Sequence, residues 1–264
     1  MRNVLFISHG SPSLVLTDHP ARDFLIELGQ RLPRPRGALV ISAHFETPTL
    51  TLGGAALPAT LYDFHGFPEA MYRLRYPAAG LPDVARRLAS KLHADGVDVN
   101  IDAERPLDHG VWSPLSLLWP GADVPLLPVS VPMALGDSER LALAARLGSF
   151  AEDEGLWLIG SGAATHNLGD RKPAEAEPDA WARDFHDWAR DVAERGDFKA
   201  LADWQRQAPQ ASHAHPTPEH FLPLLMAIGA LDGAPMTTLH ESFMFGNLSM
   251  LCLAAEETAN ALAA

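Results

Sequence analysis

The sequence predicts an α/β fold: one domain over residues 1–264, with a mostly parallel central sheet flanked by helices. Three observations predict it. Short apolar runs rich in branched and aromatic residues recur at Val4-Leu5-Phe6-Ile7-Ser8, Leu39-Val40-Ile41-Ser42-Ala43 and Leu156-Trp157-Leu158-Ile159-Gly160. Runs of this kind read as strands buried on both faces. Between the first two lie Phe24, Leu25, Leu28 and Leu32 at helical spacing, and the short connections favour parallel pairing with a right-handed crossover. No internal repeat, linker or low-complexity block divides the chain.

In chain order, the first strand ends at His9, and Gly10-Ser11-Pro12 opens a turn. Asp18 is placed to cap, and Pro20 to begin, a helix reaching about residue 32. Pro33-Arg34-Pro35 stops it, and Gly37-Ala38 opens the second strand. A short strand follows at 49–52. Residues 62–68, Tyr62-Asp63-Phe64-His65-Gly66-Phe67-Pro68, are aromatic and glycine-broken, a loop composition suited to covering a pocket. A helix over 81–94 and a strand over 97–101 come next. A loop then carries Leu107-Asp108-His109-Gly110, and a short helix runs from Val111 to Trp119. The strand at 124–131 contains prolines, which predicts an edge position or a bulge. Asp137 can cap a helix to about 154, and the following strand at 156–160 runs through Ser161 and Gly162 to His166. After a charged loop at 170–178, helices are expected over 179–194 and 197–207. Pro218 suits the start of a helix through 228, which puts His220 in its first turn. Residues 243–253 read as a strand before an alanine-rich tail.

Composition narrows the function. Lys plus Arg is 20 against 33 for Asp plus Glu, a formal net charge of −13, and such a surface repels nucleic acid and anionic membranes. The single cysteine, Cys252, excludes an internal disulfide and a cysteine metal cluster, and its apolar setting reads as a buried inert thiol. Met1-Arg2-Asn3 leads straight into a strand without a signal pattern, and no apolar run nears the roughly 20 residues of a membrane span. A cytoplasmic location is expected, and a homo-oligomer is compatible with this composition. There is no glycine-rich phosphate loop. Ile159-Gly160-Ser161-Gly162 misses the spacing of a hydrolase nucleophile elbow.

The 12 histidines remain, and their positions matter more than their number. If the strands lie parallel, those of His9, His44 and His166 converge at the carboxyl edge of the sheet, where open α/β sheets place their ligands. His9, His44 and His220 each stand at the end or start of a regular element, stiffly held and able to offer nitrogen to one point. Neutral imidazole suits Fe, Zn, Cu and Ni, and three protein ligands with positions left open describe a catalytic metal. The alternative for each is a core or capping imidazole.

These motifs carry a resemblance. Ser8-His9-Gly10-Ser11-Pro12, Ser42-Ala43-His44, Tyr62-Asp63-Phe64 with Gly66-Phe67-Pro68, Asp108-His109-Gly110, Ser161-Gly162 with His166-Asn167-Leu168, and Thr217-Pro218-Glu219-His220 resemble the class III extradiol ring-cleaving dioxygenases. The similarity is greatest to the DOPA-4,5-dioxygenase type and spans nearly the whole chain in the same order. It implies an oxidoreductase cleaving a catechol-type ring with O2, dependent on Fe(II), with zinc able to occupy the site in purified protein. It implies His9, His44 and His220 as metal ligands, a neutral set where the wider class uses two histidines and a carboxylate. It also implies His166 as the acid–base residue, able in some members to ligate the metal, and His109 as a second pocket histidine. The ring would be walled by Tyr62, Phe67 and Trp112.

His65 departs from the pattern and is placed at the surface or pocket rim. His19, His93, His186, His213 and His240 are read as solvated or capping, and the role of His215 stays open. Asp108 could orient His109. Glu219 reads as a first-turn carboxylate facing away from its neighbour His220. Two rival functions fit the same residues: a zinc hydrolase, and a non-catalytic metal-binding protein.

Overall fold

The computed structural model describes residues 2–263. Strand β1 (Val4–Ser8) is followed by α1 (Pro20–Arg31), β2 (Ala38–Thr47), β3 (Leu50–Gly53), α2 (Pro82–Ala94), β4 (Val99–Asp102) and α3 (His109–Leu118). Then come β5 (Leu126–Pro132), α4 (Asp137–Glu154), β6 (Trp157–Gly162) and α5 (Ala180–Arg195). Three short helices, α6 (Phe198–Ala202), α7 (Trp204–Gln207) and α8 (Ala211–Ala214), lead to α9 (Leu222–Gly229). The chain closes with β7 (Met236–His240), β8 (Phe243–Met244), β9 (Leu248–Ser249), β10 (Cys252–Ala255) and α10 (Glu256–Ala263).

The central sheet runs β4-β3-β5-β2-β6-β1-β10-β7. Strands β5, β2, β6 and β1 are mutually parallel, as predicted, and antiparallel pairing enters at β3–β5 and on the β10–β7 side. Side chains alternate across this sheet because successive Cβ atoms point to opposite faces. Val4 and Phe6 of β1 join one apolar cluster with α2, α4, α5 and α9, while Leu5 and Ile7 join another with α1 and α3. Burial on both faces is why these strands carry unbroken apolar runs.

Several expectations need correction. β5 is an interior strand despite Pro128, which lies in register with Val40 of β2. Its other neighbour, β3, meets it through the single register pair Leu52↔Val129, so the missing N–H costs little ladder. The expected irregularity is present instead in the β2–β5 ladder, which shifts between Ile41 and Glu46. His19, not Asp18, caps α1, its Nδ1 accepting the Ala21 N–H at 3.1 Å. The cap of α4 is Gly136 rather than Asp137. Helix α3 already begins at His109. The region 197–207 is two short helices, and β7 is a strand that the sequence pattern does not signal. Residues 243–253 form a hairpin and a separate strand, because Phe245 and Gly246 both take positive φ and reverse the chain. Among the described residues, no helix is long and apolar enough to cross a membrane.

Candidate metal centre

Parallel register brings the ends of three strands level: Ser8 pairs with Gly162, and Ser42 with Ser161. His9 leaves β1 at that height, and its N–H donates to Gly162 O at 3.0 Å. His44 is delivered differently. Between the pairs Ile41↔Val129 and Glu46↔Val131, five steps of β2 face two of β5, and the surplus residues bulge out with His44 among them. Bulges beside functional sites re-aim side chains in this way. His220 arrives on the turn just before α9, whose first turn holds Pro223 rather than Pro218. Ala163 N–H donates to His220 O at 2.8 Å, and a Cβ on Gly162 would lie 2.3 Å from that same oxygen, so only glycine admits the turn there.

The three imidazoles converge. Ring centroids lie 5.0 Å apart for His9–His44, 5.3 Å for His9–His220 and 4.9 Å for His44–His220. Their partners fix which nitrogens face inward. The Ser161 hydroxyl donates to Gly110 O, so it accepts from His9 Nδ1 at 3.0 Å and leaves His9 Nε2 with a bare lone pair. His220 Nδ1 lies 2.8 Å from Glu219 Oε1, a donor facing a carboxylate, and His220 Nε2 is buried without a partner. His9 Nε2 and His44 Nε2 stand 3.2 Å apart. Two nitrogens bound to one ion at about 2.1 Å are separated by roughly 3.0–3.4 Å, so the His9 and His44 nitrogens fit a shared cation, with the His220 ring beside them. Histidine and carboxylate atoms within 4.8 Å of one another also group His9 with His44 and His109, and His166 with Glu219 and His220.

Burial keeps the cluster uncharged. It drives His9 and His220 well below the usual imidazole range, aided by mutual repulsion with His44 and His166 respectively. It lowers His44 to about 3 with help from His109, and His166 to about 4 against the pull of Glu219. Neutral imidazole is the ligand form.

Carboxylates behind the rings hold them. Asp63 accepts the His109 N–H at 2.9 Å, lies 3.0 Å from His109 Nδ1, and places its second oxygen 3.5 Å from His44 Nδ1. Burial alone would raise Asp63, but the two histidines prevail and lower it to about 2. The orienting residue for His109 is therefore Asp63, not Asp108. Asp108 is wholly buried and instead accepts from Ser42 Oγ at 2.6 Å and pairs with Arg105 at 2.6 Å. Arg105 also donates to His44 O at 3.2 Å and lies over the Phe45 ring, clamping the bulge from behind. Glu219 does not face away from His220, because the two sit in a turn rather than a helix. The His166 ring stacks on His220 at 3.4 Å.

Above the rings lies a cleft of about 380 Å³, lined by all five of these histidines with Asp63, Phe64, His65, Phe67, Arg171, Phe245 and Leu248 among others. Phe67 lines the cleft. Tyr62 and Trp112 do not line it: the Tyr62 hydroxyl donates to Leu74 O at 2.5 Å, and Trp112 Nε1 to Leu61 O at 2.8 Å, bracing the loop from behind. Phe64 and Phe245, both half-buried, line the cleft instead. His65 is at the rim, as placed from sequence. His215 is buried away from the cleft, bonded to Ala164 O at 2.9 Å among Phe185, Trp204 and Phe221. His186 is buried rather than solvated, bridging Ser249 and Glu241 at 2.8 Å each.

Comparison with known proteins agrees with this geometry. The family described as the catalytic LigB subunit of aromatic ring-opening dioxygenase matches residues 3–251. The 4,5-DOPA dioxygenase extradiol of Beta vulgaris is 35% identical over 254 residues, covering 94% of each chain. That of Escherichia coli (strain K12) is 36% identical over 261 residues, covering 94% of this chain and 92% of the relative. The crystal structure of an uncharacterized Escherichia coli K12 protein superposes with a TM-score of 0.79 at 30% identity, covering 97% of this chain and all (100%) of that one.

Proposed function

This chain belongs to the family of the catalytic LigB subunit of aromatic ring-opening dioxygenase and is an extradiol ring-cleaving dioxygenase with a metal cofactor; on that premise we propose that it opens a catechol-type ring and that its metal is iron(II), held by His9, His44 and His220. The observation that carries the ligand set is the inward lone pairs: His220 Nε2 is buried without a partner, and His9 and His44 turn bare nitrogens toward each other. The donor set suits iron among other metals, and what favours iron is the reaction, which needs a redox-active ion with open positions for both a diol and O2.

A metal held by these histidines would supply Lewis acidity toward the diol oxygens and a redox-active centre for O2. The remaining steps belong to the chain. His166, neutral at pH 7, accepts the hydroxyl proton of the diol and returns it during ring opening. Its stacking on His220 keeps the imidazole beside the ligand set. His109, backed by Asp63, hydrogen-bonds the substrate from the opposite wall. Phe64 and Phe67, packed edge-to-face on each other, line one wall against the apolar part of the ring and exclude water. The protein acts in the cytoplasm on a small aromatic diol, over one catalytic domain.

The test is anaerobic loading with iron(II) followed by a panel of catechols read by oxygen electrode and visible absorbance. Stoichiometric O2 uptake with a new visible band supports the reading. Iron-loaded protein that consumes no O2 with any diol would overturn it. Anaerobic hydrolysis of an ester or amide would favour a zinc hydrolase instead.

A further inference from the structure

Among the described residues, four non-glycine positions have positive φ, and of these Phe245 (φ 55°) lines the histidine cleft. The next residue, Gly246, has φ 70°. Asn247 N–H donates to Met244 O at 3.2 Å, closing a turn whose two central residues are both left-handed. That is the φ pattern of a type I′ turn, for which Asn-Gly is the favoured pair, and a large aromatic residue is disfavoured at its first position.

The surroundings enforce the strained turn. Lys172 N–H donates to Phe245 O at 2.9 Å, and Asp179 N–H to Gly246 O at 2.8 Å. The same hairpin is bonded to both neighbours of His166. Thr165 Oγ1 donates to Asn247 O at 2.7 Å, and Asn247 Nδ2 donates to Asn167 O at 2.6 Å. Ser249 N–H returns a bond to Thr165 Oγ1 at 2.8 Å. The Phe245 turn and the His166 segment therefore form one unit. Backbone strain held by its surroundings at a functional site points to what the side chain does.

We propose that Phe245 determines substrate specificity: its ring is the wall of the cleft on the His166 side, and it holds the diol ring in register with that imidazole while limiting the bulk of ring substituents. The inference rests on reading this cleft as the diol site. An asparagine at 245 would suit the turn better and leave the wall open, so turn and wall can be separated experimentally.

The test compares wild type, Phe245→Asn and Phe245→Leu, each iron-loaded and kept anaerobic so that binding is measured without turnover. Titration with catechol should show affinity about tenfold weaker in Phe245→Asn and about threefold weaker in Phe245→Leu. Affinity for 4-tert-butylcatechol relative to catechol should rise at least fivefold in Phe245→Asn. Metal-free melting temperatures should stay within a few degrees of wild type. Affinities within twofold of wild type in both variants would overturn the wall alone. A fall of more than about 10 °C in both variants would assign the ring to packing and likewise overturn it. Wild type that binds no diol would overturn the wall and the functional reading together, whereas binding without O2 uptake on aeration would overturn only the latter.

Discussion

The floor of the cleft and its walls are made by different means. The floor is built from strand ends and one turn bonded to them: His9 and Ser161 stand where parallel register puts them, His44 rides on a bulge beside them, and the turn carrying His220 accepts the Ala163 N–H just past β6. Each ring then needs one partner to fix its inward nitrogen, Ser161 for His9 and Glu219 for His220. The walls come from loops remote in sequence, with Phe64 and Phe67 on one, Leu168 and Arg171 on a second, and Phe245 and Leu248 on a hairpin. A floor residue is placed by the sheet, through its own strand or a turn bonded to a strand end, whereas a wall residue is placed by what its loop meets. Damage to the floor should therefore remove function outright, and damage to the wall should grade it.

The largest effects belong to the floor. His9→Ala and His220→Ala should each abolish stoichiometric metal binding, measured by metal analysis after desalting. Normal metal content in either variant would remove that residue from the ligand set. His166→Ala should keep its metal and lose about 10²- to 10⁴-fold in kcat, the usual worth of a general acid–base group. Unchanged O2 consumption would end that assignment, and loss of the metal would make His166 a ligand.

The same contrast governs what the sequence discloses. Strand identity is a local fact, so the α/β class and the placing of His9 at the end of β1 could be read from apolar runs ended by glycine or alanine. His44 rides on a bulge inside β2 and His166 lies beyond the end of β6 at Gly162, neither of which could be read from an apolar run. Asp63 and Ser161 could not, because nothing local tells that a carboxylate in an aromatic loop reaches two histidines, or that a serine one strand away meets His9. The composition of the aromatic loop at 62–68 marks it as pocket-covering, yet which rings face inward depends on distant carbonyls. Leu74 and Leu61 take the polar ends of Tyr62 and Trp112, turning both rings into braces, and Phe64 faces the cleft. Phe245 was hidden inside an apolar run that read as one strand.

Acid should expose the neutral floor next. His44 is lowered to about 3 and His166 to about 4, chiefly by burial, against about 6.5 for an unfolded histidine. The unfolded chain therefore takes up protons first as pH falls. Stability of the metal-free protein should be fully present above about pH 6.5 and decline steadily towards pH 4, read as a falling urea midpoint. A midpoint flat across that range would mean the folded cluster already carries charge. Ser161→Ala is milder. Losing the acceptor for His9 Nδ1–H should weaken metal affinity about 10- to 100-fold while the ligands remain, as is usual for groups that orient a metal-bound histidine. An unchanged affinity would show that strand register alone orients His9.

The smallest effect separates a brace from a wall. Tyr62 reaches Leu74 O from behind the cleft, so Tyr62→Phe removes one hydrogen bond and leaves a carbonyl unpaired. Such a loss costs about 1 kcal/mol, or roughly 2–4 °C in melting temperature for a chain of this size. The lining rings are untouched, so KM for the diol should stay within twofold of wild type. A tenfold rise in KM at unchanged melting temperature would put the Tyr62 hydroxyl on the substrate. The loop at 62–68 would then present both faces to the cleft, and the division between floor and wall would fail at its most finely balanced residue.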